Sequence, residues 1–207
     1  MIRVGLTGGI ASGKSTVGEQ IRLLGALVVD SDQLARDVVV AGSEGLAEVV
    51  DHFGSEVLQA DGSLDRARLG SIVFGDEQAL AVLNGIIHPR VREAKASIEA
   101  QVEDPYAIVV HMVPLLVETG QADDFDALVV VDVDEQVQLE RLMARNGLDE
   151  QQARARIGAQ ASRVERLRVA DFVIRNDAGL EELAERTHAV WHEVLKLRGQ
   201  QGDGCGC

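Results

Sequence analysis

The sequence predicts an α/β fold of the P-loop NTPase type: a doubly wound parallel sheet of about five strands with a helical insertion and an Arg-rich lid. Three observations predict it. Short apolar runs alternate with longer helix-like stretches. The runs are continuously apolar, as strands buried on both faces are. The first run passes through a glycine-rich turn directly into a helical stretch, the opening of a phosphate-binding α/β unit.

The elements follow in order. Residues 2–6 read as a strand ending at Thr7-Gly8-Gly9. Residues 13–24 read as a helix stopped by Gly25 as its C-terminal cap. Residues 26–30, 106–111, 127–133 and 171–174 give four more β-rich runs. Between 31 and 104 the pattern is mainly helical, over 46–53, 66–74 and 86–102, the last broken at His88-Pro89. That stretch is too long for an ordinary crossover and reads as an insertion. A Gly-rich tail follows from Gly199 and carries Cys205 and Cys207, the only cysteines, which read as incidental thiols on a mobile end.

Composition excludes several functions. Lys and Arg number 20 against 34 Asp and Glu, for a net charge of −14, a field that repels nucleic acid. Aromatic residues are 3%, too few for a base-stacking platform. No apolar run reaches the roughly 18 residues of a membrane span. The chain enters its first strand at once, without a signal-peptide layout, so a cytoplasmic location is expected.

The chemistry starts at Gly8-Gly9-Ile10-Ala11-Ser12-Gly13-Lys14-Ser15, followed by Thr16, which matches the phosphate-loop spacing G-x-x-x-x-G-K-[ST]. Glycines let successive N–H groups point into one concavity, and the following helix adds its positive N-terminal end. Lys14 would reach the β- and γ-phosphates, and the Ser15 hydroxyl would hold Mg²⁺. ATP and Mg²⁺ are therefore the expected cofactors. Asn146-Gly147-Leu148-Asp149 lacks the Lys of a guanine-reading motif, which excludes a GTPase.

Two further features have open readings. Asp30-Ser31-Asp32 closes the second strand, where an open parallel sheet lines its ligand crevice. Asp32 would be a general base toward an acceptor hydroxyl, or a cap for the helix that begins near Gln33. Residues 138–168 hold Arg141, Arg145, Arg154, Arg156, Arg163, Arg166 and Arg168, seven of the 20 cations. In an acidic chain that cluster reads either as an anion-closing lid or as a solvated helix face.

Taken together, these residues resemble the dephospho-coenzyme A kinase family over nearly the whole chain, to about Lys196. The resemblance is carried by the phosphate loop with Leu6-Thr7 before it and by Asp30-Ser31-Asp32 with Ala35-Arg36. It continues through Leu83-Asn84-Gly85-Ile86-Ile87-His88-Pro89, Val113-Pro114-Leu115-Leu116-Val117-Glu118 and Val131-Asp132-Val133-Asp134. Gln138 with Arg141, Arg145, Arg156 with Gln160, and Ala170-Asp171 with Asn176 complete it. The resemblance implies transfer of the ATP γ-phosphoryl group to the ribose 3′-hydroxyl of dephospho-CoA. It implies a nucleotide-binding core over 1–35, 105–137 and 169–198, a helical substrate domain over 36–104, a lid over 138–168 and a flexible tail over 199–207. Lys14, Asp32 and Arg141 would be catalytic. Gly8 to Thr16 with Arg145 and Asn176 would hold nucleotide, and Thr7, Asp32, His88, Pro89, Leu115 and Glu118 would meet the acceptor. His88-Pro89 reads equally as a helix break with a buried His, and Pro114 to Glu118 equally as a core-packing helix start. ATP and dephospho-CoA are the implied partners, with no nucleic acid or membrane, for a monomer or small homo-oligomer. Another small-molecule or nucleoside monophosphate kinase, or a weakly catalytic nucleotide-binding protein, are the alternatives.

One position departs from the family's pattern. Two residues ahead of Pro114 the family usually carries Asp; here it is Met112, preceded by His111. A strand end there is expected to face the crevice near metal and acceptor, so Met112→Asp is expected to raise the transfer rate. The competing reading is that Met112 packs in the core, with His111 on the opposite face of the strand.

Overall fold

The computed structural model describes residues 1–202, so Cys205 and Cys207 lie outside the described residues. The chain divides into two compact units: Met1–Asp30 with the chain from Val102 onward, and Ser31–Gln101.

The first unit is the sheet. Its strands are β1 (Ile2–Gly8), β2 (Leu27–Asp30), β3 (Ile108–Met112), β4 (Ala127–Asp132) and β5 (Phe172–Arg175). They lie in the order β2-β3-β1-β4-β5, every neighbouring pair parallel. The chain winds outward from β1 to β2, returns through β3, then crosses to the far side of β1 for β4. That reversal opens the crevice of a doubly wound sheet at the carboxyl end of β1.

Alternation along the strands sorts the two faces. Ile2, Val4 and Leu6 of β1 join Ile108, Val110 and Met112 of β3 in one buried cluster. Val17 and Ile21 of α1 (Lys14–Leu23) and Leu183, Trp191 and Val194 of α9 (Leu180–Leu195) complete it. Each such aliphatic side chain contributes about 1.5–3 kcal/mol when fully removed from water. Gly5 belongs to the other face: a Cβ there would stand 2.6 Å from Leu128 and 2.9 Å from Leu116. The His111 ring packs near Phe125, with centroids 5.7 Å apart.

Met112 corrects the expectation of a crevice-facing position. It is 4% exposed, inside the α1–α9 cluster, and a Cβ on Gly18 of α1 would stand 2.1 Å from its sulfur. Gly18 is what makes room for it. The start of β3 is also corrected. Tyr106 is half out in solvent, because the Asp104 carboxylate accepts its N–H at 2.8 Å and turns the chain before the strand begins.

The second unit is helical: α2 (Ser31–Asp37), α3 (Glu44–Phe53), α4 (Arg66–Val73) and α5 (Glu77–Ala100). Ser43, Asp65 and Asp76 cap α3, α4 and α5 by accepting first-turn N–H groups. Val39, Leu46, Val49, Val57, Leu64, Leu69 and Ile86 form its core. The expected break at His88-Pro89 is absent, since α5 runs through Pro89. A proline ring presses on the residue four positions earlier, here Gly85, whose backbone yields most easily. His88 is exposed on this helix, not buried.

Back in the first unit, α6 (Glu135–Asn146), α7 (Glu150–Gly158) and α8 (Arg163–Arg168) lie between β4 and β5. After α9, α10 (Leu197–Gly202) carries the helix past Gly199. Among the described residues, no helix is long and apolar enough to cross a membrane.

Candidate active site

β1 delivers the phosphate loop to the carboxyl edge of the sheet, and α1 starts at Lys14. Gly13, the residue before it, has φ +93°, and Ala11 has φ +60°. A left-handed Ala costs roughly 1–2 kcal/mol, so the rest of the structure must hold the loop in place. Three carboxamides do so. Gln160 Oε1 accepts the Ile10 N–H at 2.7 Å, and Gln138 Nε2 donates to the Ile10 carbonyl at 2.7 Å. Asn176, 6% exposed, donates to the Ser12 carbonyl at 2.7 Å. The loop also closes on itself, Ser12 N–H to Gly9 carbonyl, at 3.0 Å.

These braces explain two of the glycines. A Cβ on Gly13 would stand 2.2 Å from Asn176 Nδ2, and one on Gly9 would stand 2.4 Å from Gln138 Nε2 and 2.7 Å from Arg166 Nη2. The loop tip is gripped by apolar contact as well. Ile10 and Ala11 pack against Leu139, Leu142 and Ala153, the buried centre of α6 and α7.

The Arg-rich stretch splits by environment. Arg154 pairs with Glu150, and Arg156 and Arg168 are exposed, as a solvated face would be. Arg145 is exposed and bonds its neighbour Asn146. Arg141 is half-buried and makes no ion pair among the described residues. Arg163 forms two hydrogen bonds of 2.7 Å to Asp132, the last residue of β4, and a third ion pair of 2.7 Å to Asp134. The Asp132 hydrogen bond holds the Arg163 guanidinium pKa above its ordinary value. Arg166 is 7% exposed and donates to the Ala161 carbonyl; burial pulls its pKa below the ordinary value.

The remaining expected residues are spread over both units. Lys14 and Ser15 open α1, and Thr16 is exposed behind them. Thr7 and Ser12 are buried, with hydroxyls that find no hydrogen-bond partner among the described residues. Leu116 packs in the core while Leu115 is 44% exposed, so the Pro114–Glu118 stretch is a turn with one buried anchor. Glu118 accepts the Ala161 N–H at 2.8 Å. Asp30 ends β2 opposite Met112. Asp32, exposed in the first turn of α2, and His88 and Pro89 of α5 belong to the second unit. Gln138, Gln160 and Asp132 entered the sequence reading only as carriers of the family resemblance, and Arg163 and Arg166 only as members of the arginine cluster. The available signal was a pair of Gln residues standing among arginines, but residue type alone does not report burial.

Orphaned hydroxyls, a backbone cradle that Cβ atoms would fill, and a cation at the helix start are the donor set of a polyphosphate site. The residues present therefore fit a nucleoside triphosphate with its Mg²⁺.

Known proteins agree. A family model described as dephospho-CoA kinase matches residues 2–182. A dephospho-CoA kinase of Cutibacterium acnes is 53% identical over 196 residues, covering 94% of this chain and 85% of that one. A dephospho-CoA kinase of Thermobifida fusca is 53% identical, covering 95% and 98%. The solved dephospho-CoA kinase of Campylobacter jejuni superposes with a TM-score of 0.69 at 29% identity, covering 94% and 97%. The strand order, the braced phosphate loop and these likenesses lead to one conclusion: the chain belongs to the dephospho-CoA kinase family.

Proposed function

We propose that this member of the family transfers the γ-phosphoryl group of ATP to the ribose 3′-hydroxyl of dephospho-CoA, giving coenzyme A and ADP. The observation that carries the proposal is the phosphate loop, Gly8 to Ser15, held in one shape by Gln138, Gln160 and Asn176 in a chain that matches the family over residues 2–182.

Phosphoryl transfer asks a protein mainly for positioning and charge stabilisation. The loop N–H groups and the start of α1 bind the phosphates. Lys14 holds the β- and γ-phosphate charge as the fixed cation of the helix start. Mg²⁺, carried in with ATP, supplies further charge neutralisation, and Ser15 is the residue that would hold it. Arg141, half-buried and unpaired among the described residues, is the lid cation for the moving group, with Arg145 on the next turn. Asp32 is the general base toward the acceptor hydroxyl, and His88, Pro89, Leu115, Glu118 and Thr7 shape the acceptor side. We place residues 36–104 as the substrate domain and 138–168 as the lid, and the reaction in the cytoplasm, where ATP is available. The net charge of −14 favours compact substrates met by local cations over polyanions.

The test is ADP release with dephospho-CoA, AMP or shikimate as acceptor. Dephospho-CoA alone should support turnover, and Lys14→Ala should lower it roughly 10²–10³-fold while the protein stays folded. Turnover with AMP or shikimate in place of dephospho-CoA overturns the acceptor assignment.

A further inference from the structure

Seven arginines crowd residues 138–168, and Arg166 is the only one of them that is buried. Arg166 is 7% exposed. A guanidinium stays charged at every accessible pH and offers five N–H donors. Burying it uncompensated is costly. Arg163, only three residues away and less buried, is matched by Asp132 and Asp134. Arg166 forms no salt bridge among the described residues, and the one hydrogen bond its guanidinium makes among them goes to the neutral Ala161 carbonyl.

The carboxylates near enough to act on it are engaged elsewhere. Glu118 accepts the Ala161 N–H, Asp132 is held by both arms of Arg163, and Glu165 is folded back onto Ser162 as a helix cap. The free side of the fork is turned to the phosphate loop. Nη2 lies 2.7 Å, and Cζ 3.0 Å, from where a Cβ of Gly9 would stand. A buried planar cation with unspent donors, pressed on a glycine of a phosphate-binding loop, calls for an anion with several oxygens in a fork-like array.

We propose that Arg166 is a direct ligand of the nucleotide, donating to a phosphoryl oxygen of the triphosphate held in the loop. The inference rests on the reading above, that ATP occupies this loop. In that role Gly9 does more than relieve crowding by Gln138: it leaves open the approach by which the guanidinium reaches the phosphates. Arg141 then serves the transferring group while Arg166 serves the bound nucleotide.

The experiment is calorimetric titration of Mg²⁺–ATP into the full chain and its Arg166→Met and Arg166→Lys variants, with melting temperatures measured without nucleotide. Arg166→Met should bind ATP at least about tenfold more weakly, as expected for a lost charge-assisted contact. Arg166→Lys, which keeps the charge but loses the fork, should fall between it and the wild type. Without nucleotide, Arg166→Met should melt no lower than the wild type, because an uncompensated charge has been removed. If Arg166 only braces Gly9, Met, with its similar stem, binds ATP as well as Lys or better, and that ranking overturns the proposal. If the Met variant does not fold, Arg166→Lys carries the test, and wild-type affinity in it overturns the proposal. The titration needs no acceptor. A wild type that binds ATP but does not phosphorylate dephospho-CoA therefore removes the acceptor assignment and leaves this one standing.

Discussion

β3 and β4 flank β1 and end at the same edge of the sheet, yet they finish in opposite ways. Met112 ends β3 at 4% exposure, and Asp132 ends β4 at 5%. Burial is therefore equal and does not decide which residue type stands there. The neighbours do. Under Met112 lies α1, with Gly18 leaving a slot that the sulfur fills inside an apolar cluster. Over Asp132 lies α8, whose Arg163 brings two hydrogen bonds to both carboxylate oxygens. A buried carboxylate is tolerated where a fork is aimed at it and excluded where a helix closes on it. The adjacent Asp30, paired in register with Met112, would add like-charge repulsion to any acid placed at 112.

The comparison breaks most visibly at Met112. Met112→Asp should cost about 3–5 kcal/mol of stability, the scale of an unpaired buried charge, with no gain in transfer rate. Met112→Leu, close in volume, should cost less than about 1.5 kcal/mol. Thermal melts and initial rates of the two variants decide it. A Met112→Asp protein as stable as the wild type and faster would mean that the strand end opens to the crevice after all.

At β4 the effect should be smaller. Asp132→Asn keeps the shape but weakens both bonds to Arg163, whose side chain is 35% exposed and keeps Asp134 as a partner. We expect a loss of about 1–2 kcal/mol by chemical denaturation, discounted for that exposure. A loss larger than that of Met112→Asp would reverse the order of the two strand ends.

The smallest effect lies at the far end of the same charge ladder, which runs from Asp134 to Arg175 at 3.9 Å and from Arg175 to Asp177 at 2.8 Å. Hydrogen bonds from Arg186 and then Arg175 hold the Asp177 carboxyl down to about 2, from an ordinary 3.8. A depressed acid stabilises the fold above its unfolded pKa and loses that contribution as pH falls through the folded one. Asp177→Asn should therefore lower the melting temperature slightly at neutral pH, and the difference should close between about pH 4 and pH 2. A gap that persists unchanged at pH 2 would show that the carboxylate's charge is not what stabilises.

Much of this was legible beforehand, and the failures share a cause. The strand–loop–helix unit from Ile2 to Leu23 and the five apolar runs follow from local composition, and they stand within a residue or two of expectation, Tyr106 apart. What was not legible depends on partners distant in the chain. Met112 reads as a lost acid until Gly18 is seen beneath it. Pro89 reads as a break, yet α5 runs through it with Gly85 four positions earlier. Arg163 and Arg166 look alike in a run of arginines, and only the fold matches one to Asp132 and leaves the other against Gly9. Gln138 and Gln160 stand 128 and 150 positions from the residue they grip.

That grip has a consequence for how the enzyme responds to its surroundings. Gln138, Gln160 and Asn176 hold the backbone at Ile10 and Ser12 through amide groups, which neither gain nor lose a proton over the range in which proteins stay folded. Hydrogen bonds between neutral groups are also little weakened by salt, unlike contacts between separated charges. The three bonds that shape the cradle are thus insulated from acidity and ionic strength alike. A change in rate with pH then reports on the ionisation of the reactants and of the acid–base groups that touch them, while the three amide bonds across the loop stay as they are.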